Sequence, residues 1–330
     1  MLIRFKSIVS IEEIGRLTER CEELGVKFKF IQETGTSYLV IESAEVSKID
    51  ELYHQLKHKP FIDVIIRKEM EDDPLDELMP VQFMAGQRRI GHGARPVIIA
   101  GSPFLENRKQ AVELATELAG LGVNIYKAGP YRPTETLATK ELYERSGSIV
   151  KEIVRRAGIP STGMIETLGT KVALTALDAD ILHVPGEFMF ESVLRDQLSK
   201  LGKPVFLERH PEASVLLWLE AARSIAVAGN PNVALVETGR ISDGNREIDF
   251  VALSGLIETC QLPVIVYASR PAKSESQVRR IARASLALGA HGVIIDVHPS
   301  PSTGLLTDGY CVSLDEYSDM AKSLQALSSI

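Results

Sequence analysis

Ionisable side chains recur directly after short apolar runs in the C-terminal part of this 330-residue chain. They belong to the types that bind anions or transfer protons in enzymes. The candidate catalytic residues are Lys127, Glu208, His210, Asp296 and His298. The candidate substrate-binding residues are Arg132, Thr134, Arg209, Glu237, Arg240 and Arg270. Cations that converge with carboxylates favour a phosphorylated or carboxylated small molecule, because guanidinium groups bind such anions through paired hydrogen bonds.

Two pairs of these residues lie two positions apart, Glu208 with His210 and Asp296 with His298. Side chains two residues apart on a strand point to the same face, so each pair is a candidate general acid and base. The alternative for His298 is that the His-Pro step ends a strand and the imidazole forms only local hydrogen bonds. Lys127 is a candidate for imine formation with a carbonyl substrate, or alternatively a simple contact for an anion.

The elements that must position these side chains form a repeating series. From Pro96 onward a short β-branched run followed by a helical segment recurs about eight times. The predicted strands are 97–100, 123–126, 162–165, 181–184, 205–207, 233–236, 264–266 and 293–297. Apolar strands that alternate with helices are typical of a parallel sheet. Eight such units predict a (β/α)8 TIM barrel over 96–330, with its chemistry at the C-terminal ends of the strands.

The first 68 residues show a different order of strand and helix patterns, βαββαβ, which predicts a small ferredoxin-like domain in an α/β protein. Such a domain could sense a small molecule, or it could simply pack against another domain, and its fold alone does not decide between these. Residues 69–95 open with an acidic run and end in a glycine-rich segment, so they are expected to form a linker.

Composition excludes several classes of function. A net charge of −7 argues against a nucleic-acid binder, which usually shows clustered excess Lys and Arg. Three widely spaced cysteines form no CxxC motif, and the sequence shows neither a signal peptide nor a membrane-spanning run. The nucleotide-binding motifs GxGxxG and GxxxxGK[ST] are also missing. We expect a cytoplasmic protein with a small-molecule substrate and with neither a nucleic-acid nor a membrane partner.

Several segments of the barrel region resemble one known family. The matching segments are 96–101 (PVIIAG), 179–182 (ADIL), 202–205 (GKPV), 218–222 (WLEAA), 229–233 (GNPNV), 262–266 (LPVIV), 297–299 (VHP) and 308–309 (DG). In order and spacing they resemble 3-deoxy-D-arabino-heptulosonate 7-phosphate (DAHP) synthases of the subgroup with an N-terminal ferredoxin-like domain. The resemblance implies condensation of phosphoenolpyruvate with erythrose 4-phosphate, usually with a divalent metal, in a dimer or tetramer.

The metal ligands implied by the resemblance are altered in this chain. The family's Cys, His, Glu and Asp correspond to Pro103, Arg270, Asp296 and Asp308. Proline has no donor atom, and a guanidinium group stays cationic and repels a metal ion. We therefore expect no cofactor, although the remnant positions Asp296 and Asp308 could still hold Mg²⁺ or Ca²⁺ weakly through their oxygen atoms.

The substrate motifs implied by the resemblance are altered as well. KPRTS corresponds to 132–136 (RPTET), so Arg132 keeps one cation while Thr134 replaces the second. LLKRG corresponds to Leu207-Glu208-Arg209-His210, and ERG to Glu237-Thr238-Gly239 with Arg240 as a possible replacement. In the GARNMQN motif, Glu187 replaces another cation. Reversing charge at a phosphate subsite removes attraction and adds repulsion.

Three hypotheses remain open from the sequence. The first is an enzyme repurposed for aldol-type or related chemistry on another small phosphorylated or oxo-acid substrate. The second is a non-catalytic paralogue that binds a metabolite or a partner subunit, and a cleft closed by salt bridges such as Glu208 with Arg270 would favour it. The third is a metal-independent DAHP synthase.

Overall fold

The computed structural model describes residues 2–5, 9–33, 36–43, 46–56, 59, 61–66, 81–132, 139–165, 178–242, 244–301 and 309–329. The chain divides into two compact units, Met1–Asp73 and Pro74–Ile330. Among the described residues, no helix is both long and apolar enough to cross a membrane.

The first unit contains four strands and two helices in the predicted βαββαβ order. They are β1 (Leu2–Phe5), α1 (Ile11–Glu23), β2 (Lys27–Glu33), β3 (Thr36–Ser43), α2 (Val46–Leu56) and β4 (Ile62–Ile66). The strands form one antiparallel sheet in the order β2-β3-β1-β4, which is the ferredoxin-like strand order. Leu17 and Cys21 of α1 and Leu52 of α2 are buried with Ile3 and Leu39 of the sheet, so one helix face and one sheet face form the core.

The second unit is built on a closed barrel of eight parallel strands. The strands are β7 (Val97–Gly101), β8 (Ile125–Ala128), β9 (Ser161–Met164), β10 (Ile181–Val184), β11 (Val205–Glu208), β12 (Val233–Glu237), β15 (Val264–Tyr267) and β16 (Gly292–Asp296). Every residue in them is buried, as expected of strands that contact helices on one face and the barrel interior on the other. The predicted TIM barrel is confirmed.

Seven helices that follow these strands lie within the described residues. They are α3 (Arg108–Gly120), α4 (Thr139–Ala157), α5 (Ser192–Leu201), α6 (Val215–Val227), α7 (Phe250–Thr259), α8 (Glu275–Ala287) and α9 (Leu314–Leu327). Five begin with a side-chain cap, in which an Asn, Ser or Asp oxygen accepts a backbone N–H of the first turn. Apolar side chains such as Leu118 of α3 and Tyr317 of α9 pack on the outer faces of the strands.

The segment expected to be a linker, 69–95, contains secondary structure. Strands β5 (Gln82–Ala85) and β6 (Arg88–Gly91) form an antiparallel hairpin, with Phe83 and Ile90 buried. The Val81 N–H donates to Gln261 O at 2.8 Å, just before β15 begins. The hairpin thus covers the N-terminal end of the barrel, and residues 81–95 belong to the barrel unit rather than to a linker.

Candidate active site

The C-terminal ends of the barrel strands bring together a set of buried ionisable side chains. Its members on or directly after the strands are Lys127, His183, Glu208, Arg209, Glu237 and Asp296. Buried charges require partners, since an isolated charge in a protein interior is strongly unfavourable. The partners fall into three groups, which together form the floor and wall of one cleft.

The first group joins Lys127, Asp296 and Tyr267 across three strands. Lys127 Nζ lies 2.5 Å from Asp296 Oδ1, and both side chains are 1% exposed. The Tyr267 hydroxyl donates to the same carboxylate, 2.8 Å from Oδ1 and 3.0 Å from Oδ2. Burial, followed by the negative charge of Asp296, raises the pKa of Tyr267 well above its ordinary value, so the hydroxyl stays protonated.

Gly101 allows this group to assemble. It lies on β7 between the strands of Lys127 and Asp296, and it pairs with Asp296 in the sheet register. A Cβ at this position would lie 2.3 Å from the backbone oxygen of Lys127, which is closer than real contacts allow. Because glycine has no side chain, the Lys127 backbone can lie this close to β7, the strand between those that carry Lys127 and Asp296.

The second group is centred on the Glu208 carboxylate. Glu208 Oε1 lies 2.9 Å from His183 Nε2 and 3.7 Å from Arg270 Nη2, and the Gly186 N–H donates to Oε2 at 3.3 Å. Burial alone would raise the pKa of Glu208, but the charge of Arg270 and the contacts with His183 and Gly186 outweigh it. The pKa is lowered to about 2, so the carboxylate is an anion at neutral pH.

The third group pairs Arg209 with Glu237. Arg209 Nη2 lies 2.7 Å from Glu237 Oε2, and the Gly239 N–H donates to Glu237 Oε1 at 2.6 Å. The guanidinium group also lies 5.8 Å from the centre of the Trp218 ring. Both residues were predicted to bind substrate, and the structure places them in contact with each other.

Above these groups lies a cleft of about 390 Å³. Its ionisable lining residues are Lys127, Glu187, Glu208, Arg209, His210, Arg246 and Arg270. Phe104 and Met164 contribute apolar surface, and Pro103 also lines it. The cleft is lined by both acidic and basic side chains, so it suits a small molecule that has both an anionic group and a hydrogen-bond donor.

The structure separates the two predicted acid and base pairs. Glu208 contacts His183 and Arg270 as described, whereas His210 Nδ1 accepts the Glu212 N–H at 3.2 Å. His298 Nδ1 accepts the Ser300 N–H at 3.0 Å, and its Nε2 lies 3.1 Å from Gln110 Nε2 of α3. Asp296 instead contacts Lys127 and Tyr267.

The local alternative proposed for His298 therefore matches the structure better than a catalytic pair with Asp296. His298 Nε2 also lies 3.5 Å from Glu106 Oε2, on the segment that leads into α3. His298 does not line the cleft, whereas His210 does. His210 and His298 both come after the last residue of a strand, where successive side chains no longer alternate between the two faces of the sheet.

Among the remaining predicted cations, Arg240 lies outside the cleft. It is exposed on β13 (Arg240–Ser242), which pairs with β14 (Asn245–Glu247). Arg246 of β14 lines the cleft instead, with Nη1 3.4 Å from Thr238 O and from Gly239 O. Arg246 is not among the residues predicted from the sequence, because nothing in a short polar hairpin indicates which arginine turns inward.

Arg132 is exposed, and its guanidinium group lies 5.5 Å from the ring centre of Phe104, a residue that lines the cleft. Its Nη1 donates to Tyr131 O at 3.3 Å. Thr134 and Asp308 lie outside the described residues.

The divalent metal implied by the resemblance does not fit the described side chains. Pro103 offers no donor, Arg270 is a cation, and both oxygens of Asp296 already accept hydrogen bonds from Lys127 or Tyr267. Within the described part of the chain, no group of three or more His, Cys, Asp or Glu side chains is placed to hold a metal ion.

The sequence of this chain matches one known protein family. The sequence model of the DAHP synthetase I family matches residues 66–330. The chain belongs to the DAHP synthetase I family. The strands, helices and cleft of the barrel all lie within the residues that match the DAHP synthetase I family.

Two aldolases are similar to this chain in sequence. Phospho-2-dehydro-3-deoxyheptonate aldolase of Thermotoga maritima is 28% identical over 247 residues, which cover 73% of this chain and 72% of that protein. 2-Dehydro-3-deoxyphosphooctonate aldolase of Bradyrhizobium diazoefficiens is 26% identical over 265 residues, covering 74% and 94%. The chain is therefore a barrel of an aldol-type enzyme family.

Solved structures agree with this assignment at the level of the fold. A crystal structure of the Thermotoga maritima DAHP synthase has a TM-score of 0.72 at 22% identity, covering 99% of this chain and 96% of that one. A truncated form of the Thermotoga maritima enzyme has a TM-score of 0.68 at 25% identity, covering 76% and 93%.

Proposed function

We propose that the cleft binds a small anionic substrate, phosphorylated or carboxylated, and makes or breaks a carbon–carbon bond by aldol-type chemistry without a divalent metal. Membership of an aldol-type family supports the reaction class. The observation that supports the metal-free form is the position of Arg270. Its guanidinium group lines the cleft and lies over the Tyr267 ring, 4.9 Å from the ring centre.

Arg270 has the properties of a fixed electrostatic group. Its side chain is 17% exposed, and the Tyr267 face and the Glu208 carboxylate hold the guanidinium group in place. In a partly desolvated cleft, a positioned cation stabilises negative charge on a reacting oxygen more strongly than it would in water. Arg270 and Lys127 would therefore supply the positive charge that metal-dependent enzymes obtain from an ion.

A second candidate function is a non-catalytic metabolite binder, and one contact favours it. Arg270 lies 3.7 Å from Glu208, so an anionic ligand must compete with a carboxylate of the protein. That distance is longer than a hydrogen bond, and a cleft of about 390 Å³ remains open beside the pair. The contact therefore weakens anion binding without closing the cleft, and we favour the enzyme.

Binding of phosphoenolpyruvate, pyruvate and inorganic phosphate, followed by calorimetry, tests the anion site. Arg270→Ala should weaken binding by about 10- to 100-fold, since a hydrogen bond to a charged group contributes about 1.5–3 kcal/mol. Arg240→Ala, which removes an exposed cation outside the cleft, should leave binding unchanged. Equal binding of these anions by the wild type and the Arg270→Ala variant would refute the proposal that Arg270 forms an anion site in the cleft.

Turnover tests the reaction itself. Product formation from phosphoenolpyruvate and erythrose 4-phosphate should be measured with added Mn²⁺ and again with a chelator. Turnover that a chelator abolishes would contradict the metal-free proposal, whereas turnover in its presence would identify a metal-independent DAHP synthase. If neither condition yields product, phosphoenolpyruvate and pyruvate should be paired with other small aldehydes. Binding without condensation with any of them would favour the non-catalytic candidate.

A further inference from the structure

We propose that Lys127 forms a covalent imine with the carbonyl carbon of a 2-oxo acid bound in the cleft. This inference rests on the proposed function and specifies its substrate class and its intermediate. Three features of the cleft floor support it: an accessible amine, a proton acceptor in contact with that amine, and a cation placed for the carboxylate of the same substrate.

The amine is available to the cleft although it is deeply buried. Lys127 is 1% exposed, yet it lines the cleft, and it is the one lysine among the described lining residues. A solvated lysine remains protonated at neutral pH and reacts slowly with carbonyls. The free amine is the nucleophile in imine formation, so Lys127 needs a proton acceptor within reach. Arg270 lines the same cleft as Lys127 and also contacts the Tyr267 ring.

The proton acceptor is Asp296. Its Oδ1 lies 2.5 Å from Lys127 Nζ, so a proton can pass between them without movement of either side chain. Proton transfer converts the buried ion pair to a neutral amine and a neutral acid, and the neutral amine can then attack a carbonyl carbon. The Tyr267 hydroxyl donates to the same carboxylate and keeps it oriented while it exchanges protons.

The reaction balances with the groups in place. The ammonium of Lys127 gives a proton to Asp296, and the free amine attacks the carbonyl carbon, forming the C–N bond as the carbonyl π electrons move to oxygen. That oxygen takes the proton from Asp296. The carboxylate then removes a second proton from nitrogen and delivers it to the hydroxyl group, which leaves as water. The products are a protonated imine and water, and Asp296 ends as a carboxylate.

The cation that selects the substrate is Arg270. Its guanidinium group lies 4.9 Å from the Tyr267 ring centre, while Lys127 Nζ lies 5.3 Å from the same centre. In a 2-oxo acid, the carbonyl carbon is directly bonded to the carboxylate. Because Arg270 and Lys127 line the same cleft, a carboxylate held by Arg270 brings the adjacent carbonyl carbon toward the amine, whereas a carbonyl remote from the acid group is not positioned in this way.

The alternative is that Lys127 and Asp296 form an ion pair with a structural role alone. Lys127→Arg separates the two interpretations, because arginine keeps the positive charge and the contact with a carboxylate but cannot form an imine under these conditions. Lys109→Arg is the matched control, since Lys109 is an exposed lysine on α3 whose side chain is 83% exposed.

The experiment traps the imine by reduction. The full chain is incubated separately with pyruvate, 2-oxobutyrate and glyoxylate, treated with borohydride, and analysed by intact mass and peptide mapping. We expect one adduct on Lys127, in wild type and in Lys109→Arg, that increases the mass of the chain by the mass of the 2-oxo acid less one oxygen atom. Lys127→Arg should abolish it, and Asp296→Asn should slow its formation by about 10²-fold, as loss of a general base does.

Two results would overturn the imine. One is no adduct on Lys127 with any of the three acids at saturating concentration, and the other is the same labelling in wild type and Lys127→Arg. Peptide mapping of the wild type locates the adduct without relying on a variant that must fold. Calorimetry with the same acids distinguishes the two proposals: binding without an adduct refutes the imine and leaves the anion site, whereas no binding refutes both.

Discussion

Glu208 controls how much positive charge the cleft presents to a ligand. Its carboxylate is held anionic by Arg270, His183 and the Gly186 N–H against the opposing effect of burial. Because Arg270 lies 3.7 Å from this carboxylate, part of the guanidinium charge is neutralised before any ligand arrives. Under the proposed function, an anionic substrate would be bound by the charge that remains, together with that of Lys127 and Arg246.

The lowered pKa of Glu208 predicts a specific acid sensitivity. A carboxyl group whose folded pKa lies below its unfolded value stabilises the fold above the unfolded pKa, and this stabilisation is lost as pH falls toward the folded pKa. The unfolding free energy of the wild type should therefore decrease between about pH 4.5 and pH 2 more steeply than that of Glu208→Gln.

Urea unfolding at several pH values in that range measures the difference in slope. Glu212→Gln, which changes an exposed carboxylate nearby, is the control and should keep the slope of the wild type. Parallel slopes for wild type and Glu208→Gln would show that Glu208 is not stabilised as an anion in the folded state.

The sequence predicts which residues lie at the ends of the barrel strands better than it predicts which of them contact one another. Lys127, Glu208 and Asp296 were found because each lies at the end of an apolar strand, where a barrel places its polar groups. Their partners lie on other strands, far away in sequence, and no local pattern specifies them. The alternation of strand faces suggested His210 and His298 as partners, but both follow the last residue of a strand, where the chain changes direction.

At the scale of elements, the β5–β6 hairpin is the least expected feature of the barrel unit. Its strands are only four residues long and carry several charged or polar side chains, so they lack the apolar run that identified the barrel strands. The barrel strands themselves were predictable because burial on both faces requires continuous apolar residues. In the hairpin, β5 alternates exposed and buried positions over only four residues, and β6 does not alternate, so neither strand has a pattern that stands out in the sequence.

Gly91 provides a test of how the hairpin is held. It has a φ of 115°, and a Cβ there would lie 2.2 Å from Val81 O. Gly91→Ala should therefore lower the unfolding free energy by at least about 2 kcal/mol, because strain and a backbone clash act together. Gly93→Ala is the matched control, with a φ of 73° and open space around the added methyl group. Gly93→Ala should lower the unfolding free energy by only about 1–2 kcal/mol, because alanine is strained in the left-handed backbone conformation but meets no clash there. Chemical denaturation of both variants measures the difference, and equal losses would contradict this account.

At the scale of the whole molecule, the chain contains two units that each have a sheet and a core of their own. The first comprises Met1–Asp73 and the second Pro74–Ile330. A closed barrel leaves no open sheet edge, so the second unit needs no strand from elsewhere to complete its hydrogen bonding.

The barrel unit should consequently fold without the first unit. A chain of residues 74–330 is expected to show the circular dichroism of an α/β protein and one cooperative urea transition. Aggregation, or a spectrum without a cooperative transition, would show that the barrel depends on residues 1–73.

Trp218 gives the molecule a built-in optical reporter. It is the single tryptophan of the sequence, it is fully buried on α6, and its indole N–H donates to Leu207 O at 3.0 Å. The guanidinium group of Arg209, which lines the cleft, lies 5.8 Å from the ring. Emission excited selectively at long wavelength therefore comes from one position beside the cleft floor. A ligand that draws Arg209 away from the ring will change the fluorescence intensity of Trp218, while unfolding will shift its emission maximum to longer wavelength.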